Sequence, residues 1–262
     1  MNFSEILANT KRSGSTLTSP IPQEWTQGRT AFGGLTTALA YYGARELTDE
    51  TRALRGAMIS FVGPTTNEVT IEATPLRSGR TTSSIRAEIK SNNISATEAI
   101  FTFADLRSDS KIHHSPPASP APTSPVSDSS LEVMRPNFPQ FYNNFEVSPF
   151  QGMPFSNAKQ PDISWWVRHR DPAAHNSLEG LLSIGDALVP AYGTAMREWT
   201  PMSSMTWMIN LLTDTATTEQ GWWLLRSTSD SAGGGFTSQN MTIWNTSGDC
   251  VLMGRQMVTI FG

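Results

Sequence analysis

The sequence predicts an α+β protein of two repeats, each a long helix wrapped by a curved antiparallel sheet. Three observations carry this expectation. A glycine-led helical stretch precedes several β-rich runs, the same order of elements returns in the second half, and a Ser/Pro-rich segment separates the two.

In the first half, Phe32 to Glu46 reads as the helix, with Leu35, Leu39 and Tyr42 on one face. The runs "LRGAMISFVG", "EVTIEATPLRSGR", "TSSIRAEIKSNN" and "ATEAIFTFADLR" follow. They alternate in polarity and are rich in β-branched and aromatic residues, as half-buried strands are, and Asn92-Asn93 is a hairpin turn. From Ser108 to Ser130 the chain reads "SDSKIHHSPPASPAPTSPVSDSS". Its few apolar side chains cannot offset the entropy of ordering, so it is expected to be extended and solvated. In the second half a helix is expected from Asp186 to about Arg197, before "SMTWMINLL", "GWWLLRSTSD", "QNMTIWNTSGD" and "VLMGRQMVTIF". Ser247-Gly248-Asp249 marks another hairpin. The expected divisions are a first repeat over 1–107, a linker over 108–135 and a second repeat over 136–262.

Composition narrows the function. The chain has 262 residues, 38% of them hydrophobic, and a net charge of −4, with no run of basic residues to suit nucleic acid or a bilayer surface. No apolar run reaches the length of a membrane span, and "MNFSEILANTKRSG" lacks the apolar core of a signal peptide. A cytoplasmic protein is the expectation. The single cysteine, Cys250, excludes an internal disulfide framework and reads as a small strand residue.

Several familiar motifs fail on inspection. "QGRTAFGGLTTALA", Gln27 to Ala40, has the glycine spacing of a phosphate loop, but Gly34 and Leu35 stand where Lys and Ser or Thr are required. His113 and His114 lie in the linker, His169 and His175 are isolated from other ligands, and no zinc spacing occurs, so neither metal nor cofactor is expected. The Gly-x-Ser-x-Gly elbow is absent around Ser183. "SAGGGF", Ser231 to Phe236, follows one strand and leads to another, which reads as a hairpin or bulge beside a substrate groove and not as a dinucleotide loop.

Four sets of residues, in order, carry a family resemblance: "WTQGRTAFGG" opening the first helix, "LRSGRTTSSIRAE" on paired strands, "WWVR" followed by "LLSIGD", and "GRQMV" on the last strand. Together they resemble the acyl-CoA thioesterases of the thioesterase II type, with a double hot-dog fold. The resemblance implies a water-mediated hydrolysis of acyl-CoA. It gives the roles of Asp, hydroxyl and Gln to Asp186, Ser204 and Gln256, with Thr206, on the same strand face as Ser204, as the alternative hydroxyl. It also implies a homo-oligomer.

These residue types suit that chemistry. A thioester carbonyl is already reactive, so hydrolysis needs an oriented water, a proton acceptor and donors for the oxyanion. Asp186 is the candidate base, worth roughly 10²–10⁴-fold in rate, and Ser204 and Gln256 are candidates to orient the water. Unpaired amides at a helix N-terminus, around Gly33 and Gly34 or after Asp186, are candidate oxyanion donors. Each residue also has a plainer reading: Asp186 as a helix N-cap, Ser204 and Gln256 as ordinary strand residues. Arg77 and Arg80 could meet CoA phosphates or simply end a solvated hairpin, and Arg168 could make a structural ion pair. Gly34 or Leu35 occupies the first-repeat place of Asp186, which predicts one active centre per chain. The competing functions are a non-catalytic acyl-CoA or acyl-carrier binding module and a hot-dog dehydratase or hydratase. The latter calls for a histidine on or near a central helix, and neither predicted helix has one.

Overall fold

The structure is a computed structural model and describes residues 1–49, 51–107, 109–121, 125 and 138–261. Residues 122–124 and 126–135 of the expected linker, and Ser108, lie outside the described residues.

The first half begins with α1 (Phe3–Ala8), β1 (Lys11–Ser13) and β2 (Thr16–Pro20), then a small hairpin of β3 (Thr26–Gln27) and β4 (Thr30–Ala31). The helix α2 (Gly33–Arg45) follows, and then β5 (Ala53–Phe61), β6 (Glu68–Ser78), β7 (Thr82–Ser91) and β8 (Ile94–Ala104). The second half has β9 (Phe145–Gln151), β10 (Asp162–His169), α3 (Leu178–Gly185), β11 (Met202–Leu211), β12 (Trp223–Gly233), β13 (Phe236–Trp244) and β14 (Cys250–Ile260). Among the described residues these strands form a twelve-stranded sheet in the order β1-β2-β6-β7-β8-β5-β11-β14-β13-β12-β10-β9, with β3 and β4 apart. The order reads the same from either edge once the halves are exchanged. At the junction β5 and β11 pair antiparallel, with Met58 opposite Met208.

The expected first helix and its strands are present. Ten of the thirteen residues of α2 are buried, including Leu35 and Leu39. Each fully buried leucine contributes roughly 1.5–3 kcal/mol, so burial rather than propensity holds a helix with two glycines at its start. Asn92 and Asn93 both have positive φ, 53° and 62°, as a two-residue hairpin turn requires. "SAGGGF" is likewise a hairpin, turning at Gly234 and Gly235, and it lines neither of the cavities described below.

The second helix differs from the expectation. It spans Leu178–Gly185, with Ser177 as N-cap accepting from the Gly180 amide at 3.0 Å, and Asp186 is its C-cap. Where a helix from Asp186 to Arg197 was expected, Ala191–Thr194 form one short 3₁₀ turn. Pro190 is the reason: inside such a helix it would remove a hydrogen bond and clash with the preceding turn. The amides after Asp186 are therefore not helix N-terminal donors, and that of Ala187 already bonds the Ile184 carbonyl. Asp186 thus holds the C-cap place that Glu46 holds on α2, whereas Gly34 and Leu35 stand at the opposite end of their helix.

Two smaller features complete the frame. The described part of the Ser/Pro-rich segment is mostly exposed, yet Trp244 Nε1 donates to the Pro117 carbonyl at 2.8 Å and Ala121 packs on Trp166, Leu224, Trp244 and Cys250. Arg168 pairs with Glu146 at 2.7 Å and lies over the Trp222 ring, a structural contact.

Candidate functional site

The glycine pair that opens α2 is where the two halves meet. A Cβ on Gly34 would collide with the backbone carbonyl of Ser183, in the last turn of α3, and a Cβ on Gly33 would lie 2.6 Å from Asp186 Oδ2. Only glycine lets the start of α2 approach the end of α3 this closely. The approach delivers the Asp186 side chain from the C-terminus of its own helix to the N-terminus of the other.

Ser204 and Gln256 reach the same point from the sheet. Gln256 lies on β14 opposite Trp207 on β11 and opposite Gln239 on β13. Its Nε2 donates to Asp186 Oδ1 at 2.6 Å and to Ser204 Oγ at 2.9 Å. The structure therefore brings Asp186, Ser204 and Gln256 together around one amide.

Thr206 is not part of this group. The register of β11 against β14 shifts between Ser204 and Thr206, so Met205 is an extra residue and the two hydroxyls do not share a face. Thr206 is exposed on the outer surface of the sheet beside Met58, Met208 and Met257.

A fourth polar residue, not singled out from the sequence, completes the network. Gln239 Nε2 donates to Gln256 Oε1 at 2.6 Å, and its own Oε1 accepts from the Ala191 amide at 2.8 Å. Both glutamines are almost wholly buried, at 1% and 2% exposure. The Ala191 backbone thus fixes which way Gln239 faces, Gln239 fixes Gln256, and Gln256 must present its N–H groups to Asp186 and Ser204. The signal was available in "FTSQNMTIW": Gln239 occupies the inward register shared by Thr237, Met241 and Ile243.

Burial pushes the Asp186 carboxyl up to about 7, against the hydrogen bond from Gln256 and the facing amide of Gly34, which both favour the carboxylate. The positive end of α2 acts in the same sense as those donors. The Gly34 N–H is engaged with Asp186, whereas the Gly33 N–H makes no hydrogen bond among the described residues.

Two cavities share this spot. The smaller, about 380 Å³, is lined by Thr30, Gly33, Thr36, Phe61, Gly63 and Thr65 among others. The larger, about 690 Å³, has a more aromatic wall that includes Phe141, Tyr142, Phe155 and Trp199. Asp186, Ser204, Gln27 and Met202 line both. Gln27 Nε2 donates to the Met202 carbonyl at 3.1 Å, tying the β3–β4 hairpin to the start of β11.

Arg77 and Arg80 lie elsewhere. From Val69 to Arg77, β6 runs roughly 26 Å at about 3.3 Å per residue, away from the end that carries Pro64 and Thr65. Neither arginine lines the two cavities, and the carbonyls of Gly79 and Arg80 accept from Arg52 at the hairpin.

The chain resembles known proteins over nearly its whole length. An acyl-CoA thioesterase N-terminal domain family matches residues 21–104, and an acyl-CoA thioesterase C-terminal domain family matches residues 114–260. No curated protein sequence matches the chain. Among solved structures, a conserved protein of unknown function with a hot-dog fold from Alicyclobacillus acidocaldarius superposes with a TM-score of 0.83 at 18% identity, covering 99% of this chain and 98% of that one. The tesB protein of Mycobacterium avium subsp. paratuberculosis gives 0.77 at 18% identity over 100% of both chains. An acyl-CoA thioesterase II from Mycobacterium marinum gives 0.73 at 17% identity, over 99% of this chain and 98% of that one. At these identities the likeness establishes the hot-dog fold.

Proposed function

The chain belongs to the acyl-CoA thioesterase family, and from that premise we propose that it hydrolyses acyl-CoA to a free acid and CoA at Asp186, Ser204 and Gln256, in a double hot-dog with one active centre per chain. The observation that carries the proposal is the single Gln256 amide spanning Asp186 and Ser204 at 2.6 and 2.9 Å, at the junction of two cavities. A thioester has two arms, the acyl group and the pantetheine chain, and two cavities meeting at a base suit it.

In this reading a water rests between Asp186 Oδ2 and Ser204 Oγ. Asp186 takes one proton as the water oxygen attacks the carbonyl carbon, and the carbonyl electron pair moves onto its oxygen. The Gly33 amide and the Ser204 hydroxyl hydrogen are the available donors for that oxyanion, each such donor being worth roughly 10²–10³ in rate. When the tetrahedral intermediate collapses, the C–S bond breaks and the CoA thiolate receives the proton from Asp186. A carboxyl near 7 suits both halves of this exchange, since a base works best when its pKa is close to the working pH.

The test is thiol release from acyl-CoAs of graded chain length by the wild type and by Asp186→Asn. The expected loss is about 10²-fold or more, with the wild-type rate rising with pH around a midpoint near 7. Undiminished release by a folded Asp186→Asn protein would overturn the mechanism.

A further inference from the structure

We propose that the nucleotide end of the CoA thioester seats on the rim of the larger cavity, its adenine on Trp199 and its phosphates on Arg29, Arg197 and Lys159. The proposal rests on the acyl-CoA reading above and replaces the far hairpin of Arg77 and Arg80 as the phosphate site.

Trp199 is the anomaly that starts the inference. It is 60% exposed, whereas Trp25, Trp165, Trp166, Trp207, Trp223 and Trp244 are each at most 2% exposed. It also lines the cavity that reaches Asp186. A large flat side chain left in water at a cavity mouth is a platform for a flat ligand, and aromatic stacking under a nucleobase is sequence-tolerant and substantial.

Cations stand on the chain segments that supply this rim, beside Gly28, Phe155 and Trp199. Arg29 sits at the tip of the β3–β4 hairpin, between Gly28 and Thr30, which line the larger and the smaller cavity respectively. It is exposed and makes no hydrogen bond or ion pair among the described residues. Arg197 is exposed two residues before Trp199, and its Nε donates to Asn157 Oδ1 at 3.2 Å, which leaves the rest of its guanidinium without a carboxylate. Lys159 is exposed on the neighbouring loop. That loop is fastened to the Arg197 segment: the amides of Phe155, Asn157 and Ala158 donate to the carbonyls of Gly193, Met196 and Thr194 at 2.8, 3.1 and 2.9 Å. One carboxylate, the exposed Glu198, stands among them. Elsewhere most surface arginines are committed, as Arg55 is to Asp214, Arg86 to Glu98, Arg226 to Asp162 and Arg255 to Asp230. In a chain of net charge −4, three cations without a carboxylate partner on the segments beside one opening form a local anion site. With the nucleotide held there, the pantetheine arm descends the larger cavity to Asp186.

Two measurements test this. In the first, hydrolysis of octanoyl-CoA is compared with that of octanoyl-pantetheine, which carries the same reacting groups and no nucleotide. Trp199→Ala, and separately the double variant Arg29→Ala with Arg197→Ala, are expected to lower the preference for the CoA ester by about ten-fold or more, through KM, with Trp199→Phe keeping most of it. An unchanged ratio, or an equal fall for both esters, would overturn the seat. In the second, adenosine 3′,5′-bisphosphate is titrated by calorimetry into the same proteins, with weakening of at least about ten-fold expected in Trp199→Ala. If the wild type hydrolyses neither ester, the hydrolytic reading falls by itself, and the bisphosphate titration still decides the seat: binding lost in the variants supports it, and binding equal in all of them, or absent from the wild type, overturns it.

Discussion

The two halves of the sheet share one lattice and differ in what stands at four of its points. Counting from the paired Met58 and Met208, both central strands carry a register shift at the same distance, between Leu54 and Gly56 in β5 and between Ser204 and Thr206 in β11. The register then sets Leu54 against Ser204, Phe101 against Gln256 and Ile85 against Gln239 as equivalent positions. The helix C-caps add Glu46 against Asp186. In the first half these points are two fully buried apolar residues, a nearly buried leucine and a surface carboxylate paired with Arg12. In the second half they are a hydrogen-bonded polar chain with a half-buried acid that lines both cavities. The same sheet thus carries packing on one side and a polar network on the other; within the sheet the difference lies in side chains, while the helices differ in length, thirteen residues in α2 against eight in α3.

The comparison also says which half bears a cost. A carboxyl with a folded value near 7 and an ordinary unfolded value near 3.8 binds its proton more tightly in the native state. Its contribution is fully favourable below the unfolded value and is lost as pH rises through the folded one, so at pH 8 the ionised Asp186 opposes folding. Asp186→Asn is therefore expected to stabilise the protein relative to wild type by up to about 4 kcal/mol at pH 8, since each ten-fold change in proton affinity is worth roughly 1.4 kcal/mol. The gain should shrink as pH falls and vanish only below the unfolded value of 3.8, as urea unfolding at a series of pH values would measure. A stability difference independent of pH would mean that Asp186 is not held near neutrality.

Making the second half resemble the first comes next in size. Gln256→Leu removes both bonds at once and is expected to cost about 10²–10³-fold in kcat, the scale of losing a positioned polar group at a reacting centre. Because Gln256 lowers the Asp186 pKa, the rising limb of the pH–rate profile should also move to higher pH. A loss of rate with that limb unmoved would separate Gln256 from Asp186.

The junction between the halves gives a smaller effect. Gly34→Ala forces a Cβ against the Ser183 carbonyl and must push α2 and α3 apart, with Asp186 riding on the latter. A displacement near 1 Å at a reacting group costs about 10²-fold. Gly43→Ala, toward the other end of α2, meets only the side chains of Ile71 and Leu17 and is expected to leave the rate within a few-fold, about 0.5–1 kcal/mol at most. Equal effects at the two glycines would show that the close approach at Gly34 is not what sets the site. Gln239→Leu acts only through Gln256 and is expected to lower kcat by about ten-fold with KM unchanged, as a loss of positioning does.

How much of this was legible follows from the range of each signal. The strands and α2 are written in local alternation and periodicity, and their turns in Asn92-Asn93 and the glycines. The residues Asp186, Ser204 and Gln256 were readable only through the ordered family anchors, because the contact joining them spans 52 and 70 positions in the chain. The second helix departs from the expected start because Asp186 has the chemistry of an N-cap but stands at the C-cap, the helix beginning instead after Ser177. Register shifts are less legible still: nothing local in "MSSMTWMINL" marks Met205 as the extra residue that sends Thr206 outward.

The least effect is expected where the first half keeps its own carboxylate. Glu46 stands at the C-cap of α2 as Asp186 does at that of α3, but it pairs with Arg12 at the surface, the two side chains being 34% and 48% exposed. Solvent screens such a pair and both side chains lose freedom in forming it, so exposed pairs contribute about 0–1 kcal/mol. Glu46→Gln is expected to change stability by less than about 1 kcal/mol and thiol release not at all. The measurement matters for what it isolates: the two carboxylates share a place on the helix, so a silent Glu46→Gln beside a silenced Asp186→Asn assigns the chemistry to the neighbours Gln256, Ser204 and Gly34. A marked loss of thiol release from Glu46→Gln would instead mean that the first half has a reactive part and that the asymmetry between the halves is not the basis of function.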